Sequence, residues 1–355
     1  MPKALKSQQR PEADFAQRLV RWQKTHGRHG LPWQGTRDPY RVWLSEIMLQ
    51  QTQVVTVIPY YQRFLERFPT VAELASASVD EVLALWTGLG YYSRARNLHR
   101  CAQQVMQSWQ GEFPRHSEDL VQLSGIGPST AAAIASICQA ERVAIFDGNV
   151  QRVLARHTAF EQDLSQAGAL RELRAQALAV LPAAQDMPTY TQAIMDLGAT
   201  VCTPRQPGCP ICPVAQDCGA LAQGRVTALP VKTRKVKRMA QSWWLLWLRH
   251  PTLGTWLQQR PDKGIWAGLY CVPVFDSREA MLHSVPASWR GSLVEQASEL
   301  HVLTHRDLHL HWCEVTCSGA ASWPGPGAWV AENEWDRLGL PKPVRDRLRA
   351  VPDGV

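Results

Sequence analysis

No run in this 355-residue chain approaches the roughly 18 consecutive apolar residues of a membrane-spanning helix. The N-terminus, MPKALKSQQRPEADF, lacks the apolar centre of a secretion signal. A cytoplasmic protein with no membrane partner is the expectation, associated with the nucleoid if the source is bacterial. In that compartment clustered thiols stay reduced and more often bind metal than pair. Lysine is missing between Lys24 and Lys232, so that interval offers no amine for Schiff-base chemistry. Internal repeats and low-complexity tracts are missing too. Acidic residues are the minority, 31 against 38 Lys and Arg, and the net charge of +7 favours an anionic partner. Charge alone does not separate nucleic acid from an acidic protein or lipid surface.

What is present divides in two. From about Asp14 to Ala222, segments such as FAQRLVRWQKTH, YRVWLSEIMLQQTQVVTVIPYYQRFLERF, VDEVLALWTGL and STAAAIASICQA repeat apolar residues every three or four positions, as helices do. RVTALPVKTRKVKR, Arg225 to Arg238, follows with six basic residues and no acidic one, and reads as an extended linker. Beyond it, SWWLLWL, GLYCVPVF and HVLTHRDLHLHWCEV are short Trp-, Val- and Leu-rich pieces broken by Gly and Pro, the texture of an α+β domain. With 45% hydrophobic residues, the chain has enough for both cores.

Four of nine cysteines, Cys202, Cys209, Cys212 and Cys218, fall within CTPRQPGCPICPVAQDC. Four close thiols in a reduced setting suit zinc or an iron–sulfur cluster; the second C-x2-C knuckle usual in a zinc ribbon is missing. LVQLSGIGPSTAAAIAS sets Gly125 and Gly127 before an Ala-rich helix, either an ordinary helix–helix turn or a grip on phosphate through bare N–H groups. Glu46 stands among Val42, Trp43, Ile47, Met48 and Leu49. It is either a glutamate on a wet helix edge or a desolvated carboxyl kept neutral as a general acid. Asp147, before Gly148-Asn149, is either a helix N-cap or a permanent carboxylate. An acid and an anion together would suit glycosidic cleavage through an oxocarbenium-like state.

GLPWQGTRDPYRVWLSEIMLQQTQV, WTGLGYYSRARNL, LSGIGPSTAAAI, FDGNVQRVLAR, MDLG and the cysteine loop stand in the order seen in MutY-type adenine DNA glycosylases, which this chain closely resembles over residues 14–222. That family belongs to the endonuclease III, or helix–hairpin–helix, superfamily. The resemblance implies an all-α helix–hairpin–helix glycosylase domain over 1–222, with its hairpin at 120–136 and an iron–sulfur loop at 202–218. A basic linker over 223–240 and an α+β Nudix-like domain over 241–355, recognising 8-oxoguanine, would follow. It implies a [4Fe–4S] cluster on the four cysteines, and double-stranded DNA carrying A:8-oxoguanine or A:G mispairs as partner of a monomer. Cys101, Cys138, Cys271, Cys313 and Cys317 are then core or surface thiols.

Carried across, Glu46 matches the acid that protonates adenine, Asp147 the carboxylate that stabilises the sugar cation, and Asn149 a helper beside it. Gln192 falls where the family reads the flipped adenine. Tyr91 and Gln51 match wedges around 8-oxoguanine, needed because a base must leave the stack before its bond is reachable; core aromatics are the plainer reading of Tyr91 and Tyr92. Arg205, with the hairpin residues, would touch DNA backbone. Ser129 occupies the place of the lyase lysine, which implies a monofunctional glycosylase using water. Thr304 and His305 stand near the family's Phe-Ser-His loop, with Leu303 in place of the phenylalanine. His305, His309 and His311 alternate as on a polar strand face. DSREAMLHSVPASWRG lacks the glutamates of nucleotide-hydrolysing Nudix enzymes, so this domain is expected to bind rather than hydrolyse. The competing readings are an endonuclease III-like glycosylase and lyase, and a non-catalytic zinc-ribbon DNA-binding protein.

Overall fold

The computed structural model describes residues 11–234, 237–317 and 323–350. Its first part is helical: α1 (Pro11–His26), α2 (Pro39–Leu49), α3 (Val54–Arg67), α4 (Val71–Ser76), α5 (Val79–Trp86), α6 (Ser93–Ser108), α7 (Ser117–Leu120), α8 (Pro128–Gln139), α9 (Gly148–His157), α10 (Ala167–Ala179), α11 (Met187–Asp196) and α12 (Gly219–Ala222). Strands follow: β1 (Met239–His250), β2 (Gly254–Gln259), β3 (Tyr270–Cys271), β4 (Val274–Phe275), β5 (Leu293–Glu295), β6 (Glu299–Val302), β7 (Arg306–Thr316) and β8 (Ala328–Val330). Two short helices, α13 (Arg278–Ser284) and α14 (Lys342–Arg349), join them. Among the described residues no helix is long and apolar enough to cross a membrane.

The chain forms two compact units. The first holds the described residues through Ala75 and from Arg100 to Arg234; the second holds Ser76–His99 with the described residues from Lys237 on. In the first unit Asp38 caps α2 by accepting from Tyr40 N at 2.9 Å, with Pro39 in the opening turn. The helical run read from Tyr40 to Phe68 breaks in the middle. Gln50 ends α2, Gln51 takes φ +56°, and α3 starts at Val54. Helix α8 is buried from Thr130 to Ser136, its alanines letting α2 and α11 approach closely. Phe15, Leu19, Val150, Leu154, Ile194 and Leu197 fill the core beside it.

In the second unit β1 and β7 run parallel at the centre of a sheet ordered β3-β2-β1-β7-β5. β4 pairs with β1, β6 with β7 and β8 with β2. Leu246, Leu248, Val315, Met281 and Trp323 pack together on it. Along β7 the side chains of Leu308, Leu310 and Trp312 are buried while His309 and His311 are half-buried, and His311 stacks on Trp244 at 4.6 Å. His305 does not share that face. It lies in the turn between β6 and β7, closed by Leu303 N donating to Arg306 O at 2.7 Å. The segment Ser76–His99 belongs here through polar bonds its helical periodicity does not announce. Tyr92 donates to Leu340 O at 3.1 Å, Arg345 donates to Thr87 O at 3.0 Å, and Arg96 donates to Ala267 O.

The linker is less of a free tether than its composition suggests. Leu229 is buried, Leu164 N donates to Val231 O at 2.9 Å, and Thr233 N donates to Asp163 at 3.2 Å. Lys235 and Val236 of the linker lie outside the described residues.

Candidate active site

A cavity of about 380 Å³ opens in the first unit, with Gln23, Trp33, Ser45, Glu46, Leu49 and Gln192 among its walls. That volume suits a small planar ligand. Glu46 reaches it from α2, where Trp43, Ile47 and Met48 on neighbouring turns are buried. Burial, and then the charge of Asp147, push the Glu46 carboxyl up to about 7. A carboxylic acid there keeps a proton near neutrality, which the wet-edge alternative would not allow.

Asp147 is the N-cap of α9, its Oδ1 accepting from Val150 N at 2.8 Å. A helix N-terminus favours an anion in that place. Two residues on, Asn149 Oδ1 accepts from Arg152 Nη2 at 2.7 Å. The same guanidinium donates to Gly198 O at 2.7 Å and, through Nε, to Cys202 O at 2.8 Å. Gly198 sits in the π-helical turn Leu197–Val201 that continues α11, and a Cβ there would lie 2.7 Å from Asn149 Cβ. Asn149 is thus held from the cysteine side.

Gln192, on α11, donates from Nε2 to Asp196 Oδ1 at 2.9 Å. Asp196 is fully buried and is also gripped by Arg28, whose Nε, Nη2 and backbone N donate to it at 2.9, 2.6 and 2.9 Å. The hairpin glycines behave differently from each other. Gly125 takes φ +79°, and Gly127 is the N-cap of α8 with no side chain satisfying the helix's first N–H groups. Ser129 accepts from Phe146 N at 3.2 Å, tying α8 to the segment that leads into Asp147.

Cys202, Cys209, Cys212 and Cys218 ring a small cavity of about 30 Å³ together with Arg156. Among the described residues no group of three or more His, Cys, Asp or Glu is placed so as to hold a metal ion. Burial pushes the Cys212 thiol up to about 11, the neighbouring sulfurs adding to it. A metal group would relieve that cost, because coordination deprotonates a thiol outright. Arg156 is 2% exposed and donates to Cys202 Sγ at 3.4 Å, Thr203 O at 2.7 Å, Pro204 O at 3.0 Å and Leu229 O at 3.0 Å. No carboxylate pairs with it among the described residues. Arg205 is exposed.

Gln51, in the first unit, is exposed at its left-handed backbone position. Tyr91 and Thr304 are brought together within the second unit. Tyr91, at φ +49° and 43% exposed, pairs its hydroxyl with Thr304 Oγ1, and Arg94 lies 5.4 Å over its ring. The core-aromatic alternative does not hold for Tyr91. His305 is exposed beside Thr304.

Several site residues escaped the sequence reading: Gln23, Arg28, Gln34 and Asp196 around the cavity, and Arg152 and Arg156 on α9. One signal was available, a charged Asp196 inside the apolar stretch of α11. Lys24 also lines the cavity, so an amine does reach the pocket from the edge of the lysine-free interval.

Residues 44–178 match the family model described as HhH-GPD superfamily base excision DNA repair protein, and residues 244–350 match the NUDIX domain. The chain is 32% identical over 342 residues to the adenine DNA glycosylase of Buchnera aphidicola subsp. Schizaphis graminum, covering 94% of this chain and 97% of that one. It is 44% identical over 215 residues to the adenine DNA glycosylase of Homo sapiens, covering 58% of this chain and 39% of that one. Among solved structures, a thermostable thymine-DNA glycosylase superposes with a TM-score of 0.53 at 23% identity, over 60% of this chain and 97% of that one. At that identity the likeness is one of fold.

Proposed function

The chain belongs to the adenine DNA glycosylases of the HhH-GPD superfamily, with a C-terminal NUDIX domain, and from that premise we propose how its residues remove the base and which mispair it takes. Adenine opposite 8-oxoguanine, or opposite guanine, would flip out of the duplex into the 380 Å³ cavity. Glu46 donates its proton to a ring nitrogen as the C–N bond breaks and the electron pair leaves with adenine. Asp147 stabilises the cationic sugar, with Asn149 beside it. Water adds to the sugar carbon and gives its proton to the Glu46 carboxylate, which restores the acid and leaves the strand intact. The observation that carries this reading is a carboxyl raised to about 7 on the wall of the cavity.

The four cysteines would hold a [4Fe–4S] cluster. The C-x6-C-x2-C-x5-C spacing around one small cavity, with no second C-x2-C knuckle, favours the cluster over zinc, and the buried Arg156, with no carboxylate partner among the described residues, favours an anionic group. Bound there, the cluster supplies binding free energy that holds the loop in shape. Gly125, Gly127 and Ser129 at the hairpin, with the exposed Arg205, would contact phosphate without reading sequence. In the first unit Gln51 would wedge into the base stack; in the second Tyr91 would wedge likewise and Thr304 and His305 would meet the 8-oxoguanine, the exposure and left-handed backbone of Gln51 and Tyr91 fitting that use. The test is incubation with A:8-oxoguanine and A:G duplexes followed by alkali. Adenine release by the native chain and its loss in Glu46→Gln is the expected result; full release by the variant would remove the acid from the mechanism.

A further inference from the structure

We infer that the linker is a built part of the DNA site: Lys232 grips a phosphate flanking the flipped adenine nucleotide, and Asp163 holds the linker in place for it. The inference rests on the reading that Asp147 faces the sugar of that nucleotide. Both chain neighbours of Lys232 are tied to the segment between α9 and α10. Val231 O accepts from Leu164 N at 2.9 Å, and Thr233 donates from its backbone N to Asp163 Oδ1 at 3.2 Å and from its hydroxyl to Oδ2. Asp163 is itself fixed by Ser165, whose N and Oγ donate to it at 2.9 and 2.6 Å. Upstream, Leu229 is buried and its carbonyl accepts from Arg156 Nε at 3.0 Å. Between these ties the Lys232 side chain reaches across to α9, its Nζ donating to Gln151 Oε1 at 3.3 Å.

That end of α9 is the one that carries the chemistry. Gln151 N donates to Asp147 O at 2.9 Å, and its Nε2 folds back to Phe146 O at 3.3 Å. The amide that receives Lys232 therefore lies over the turn that presents Asp147 and Asn149. An ammonium has three hydrogens to give, and Gln151 takes one. The side chain is exposed, so the others are open to a ligand. A deoxyribose sits between two phosphates, and a cation held at the turn facing that sugar meets a phosphate oxygen as its anionic partner. No lysine lies between Lys24 and Lys232, so the helices supply none of their own at this turn and the linker brings one. A free tether would lose backbone as well as side-chain freedom on binding; here the backbone is already held, which lowers that cost.

The test measures affinity for an A:8-oxoguanine duplex in which 2′-fluoro-adenosine resists release, with a neutral methylphosphonate placed in turn at each phosphate flanking that nucleotide. At one of them the native chain should lose roughly tenfold in affinity, while Lys232→Ala, weakened about as much on the charged duplex, should lose nothing further. The slope of log affinity against log salt should fall by about one in Lys232→Ala, and Lys232→Arg should restore both readouts. Asp163→Ala tests the clamp. It removes a negative charge, which on charge alone tightens DNA binding; with the linker loosened, affinity should instead fall about threefold. Native affinity and slope in Lys232→Ala, or losses from the variant and from both neutral phosphates that simply multiply, would overturn the inference. So would slower adenine release at saturation in Lys232→Ala with affinity intact, which would set the amine on Asp147 instead. Tighter binding by Asp163→Ala would remove the clamp. Failure of the native chain to release adenine from the unmodified duplex would instead sink the reading beneath it.

Discussion

Arg152 joins Asn149, two residues beyond the helix-capping Asp147, to the cysteine loop: Nη2 donates to Asn149 Oδ1 at 2.7 Å and Nε donates to Cys202 O at 2.8 Å. One guanidinium thus fixes a side chain of α9 and a carbonyl of the cysteine loop. Charged hydrogen bonds of this kind are worth about 1.5–3 kcal/mol each. Arg152→Leu should therefore lower adenine release by on the order of tenfold or more, and lower iron content in the same preparation. Native release with full iron in that variant would show the link to be incidental.

Gly198 makes the neighbouring contact from the other side. A methyl group at this position would stand 2.7 Å from Asn149 Cβ, closer than real Cβ contacts come. Because the obstruction is not the far end of a flexible side chain, Gly198→Ala should push α9 and the π-helical turn apart at a cost of about 1–3 kcal/mol. The expected outcome is a lower melting temperature with adenine release reduced more than duplex affinity. A single-turnover rate equal to that of the native chain would mean Asn149 tolerates the shift.

The raised carboxyl of Glu46 gives two pH signatures, in rate and in stability, of the same sense. As an acid it must be protonated, so adenine release should fall as pH rises through about 7. For stability, its pKa is raised from 4.5 to about 7 in the folded chain, so the folded state binds this proton more tightly than the unfolded one. That contribution is fully present below pH 4.5 and is lost as pH rises through 7. Glu46→Gln removes the loss. At pH 8 the variant should melt a few degrees above the native chain while releasing almost no adenine. A variant no more stable than the native chain at pH 8, yet equally stable at pH 5, would contradict the burial cost.

What could be read in the sequence was whatever a short stretch holds by itself. The cysteine loop, the glycines before α8, the apolar surroundings of Glu46 and the capping place of Asp147 are all patterns within about twenty residues, and periodicity is visible on that scale. The missed contacts cross the chain. Asp196 meets Gln23 and Arg28 across 173 and 168 positions, and nothing near Gln23 in sequence announces a carboxylate. Helical periodicity in VDEVLALWTGL told that α5 buries a face but not that Ser76–His99 packs with the sheet. The linker's basic composition likewise hid Leu229, a single apolar anchor buried against the first unit.

Lys24 decides how strictly the chain is monofunctional. The hairpin position carries Ser129, whose hydroxyl is engaged with Phe146 N, but Lys24 is an exposed amine on the cavity. Schiff-base chemistry needs an activated amine, and Lys24 is exposed at the cavity rather than set among apolar groups. Borohydride should trap at most a trace of covalent protein–DNA adduct, and Lys24→Ala should abolish that trace without slowing adenine release. Efficient trapping that survives the substitution would place another amine at the sugar and contradict hydrolysis by water.

Removing the metal should be felt beyond the cysteine loop. Arg156 is buried with its Nη1 against Cys202 Sγ, and the same side chain holds Leu229 O of the linker. With thiolates around a cluster, the guanidinium has an anionic neighbour. Without one, burial returns Cys212 to its thiol form, with its pKa near 11, and the cation is left uncompensated, a state that costs several kcal/mol. The chain should relieve this by opening the loop and releasing Arg156 to water, which also frees Leu229. Purified under reducing conditions, the protein should be brown with about four irons. After oxidation and chelation, amide exchange should accelerate over 202–218 and also over 229–233, while α2 and the Glu46 region keep their protection. Acceleration confined to 202–218 would show that Arg156 does not couple the loop to the linker; a colourless protein carrying one zinc would replace the cluster altogether.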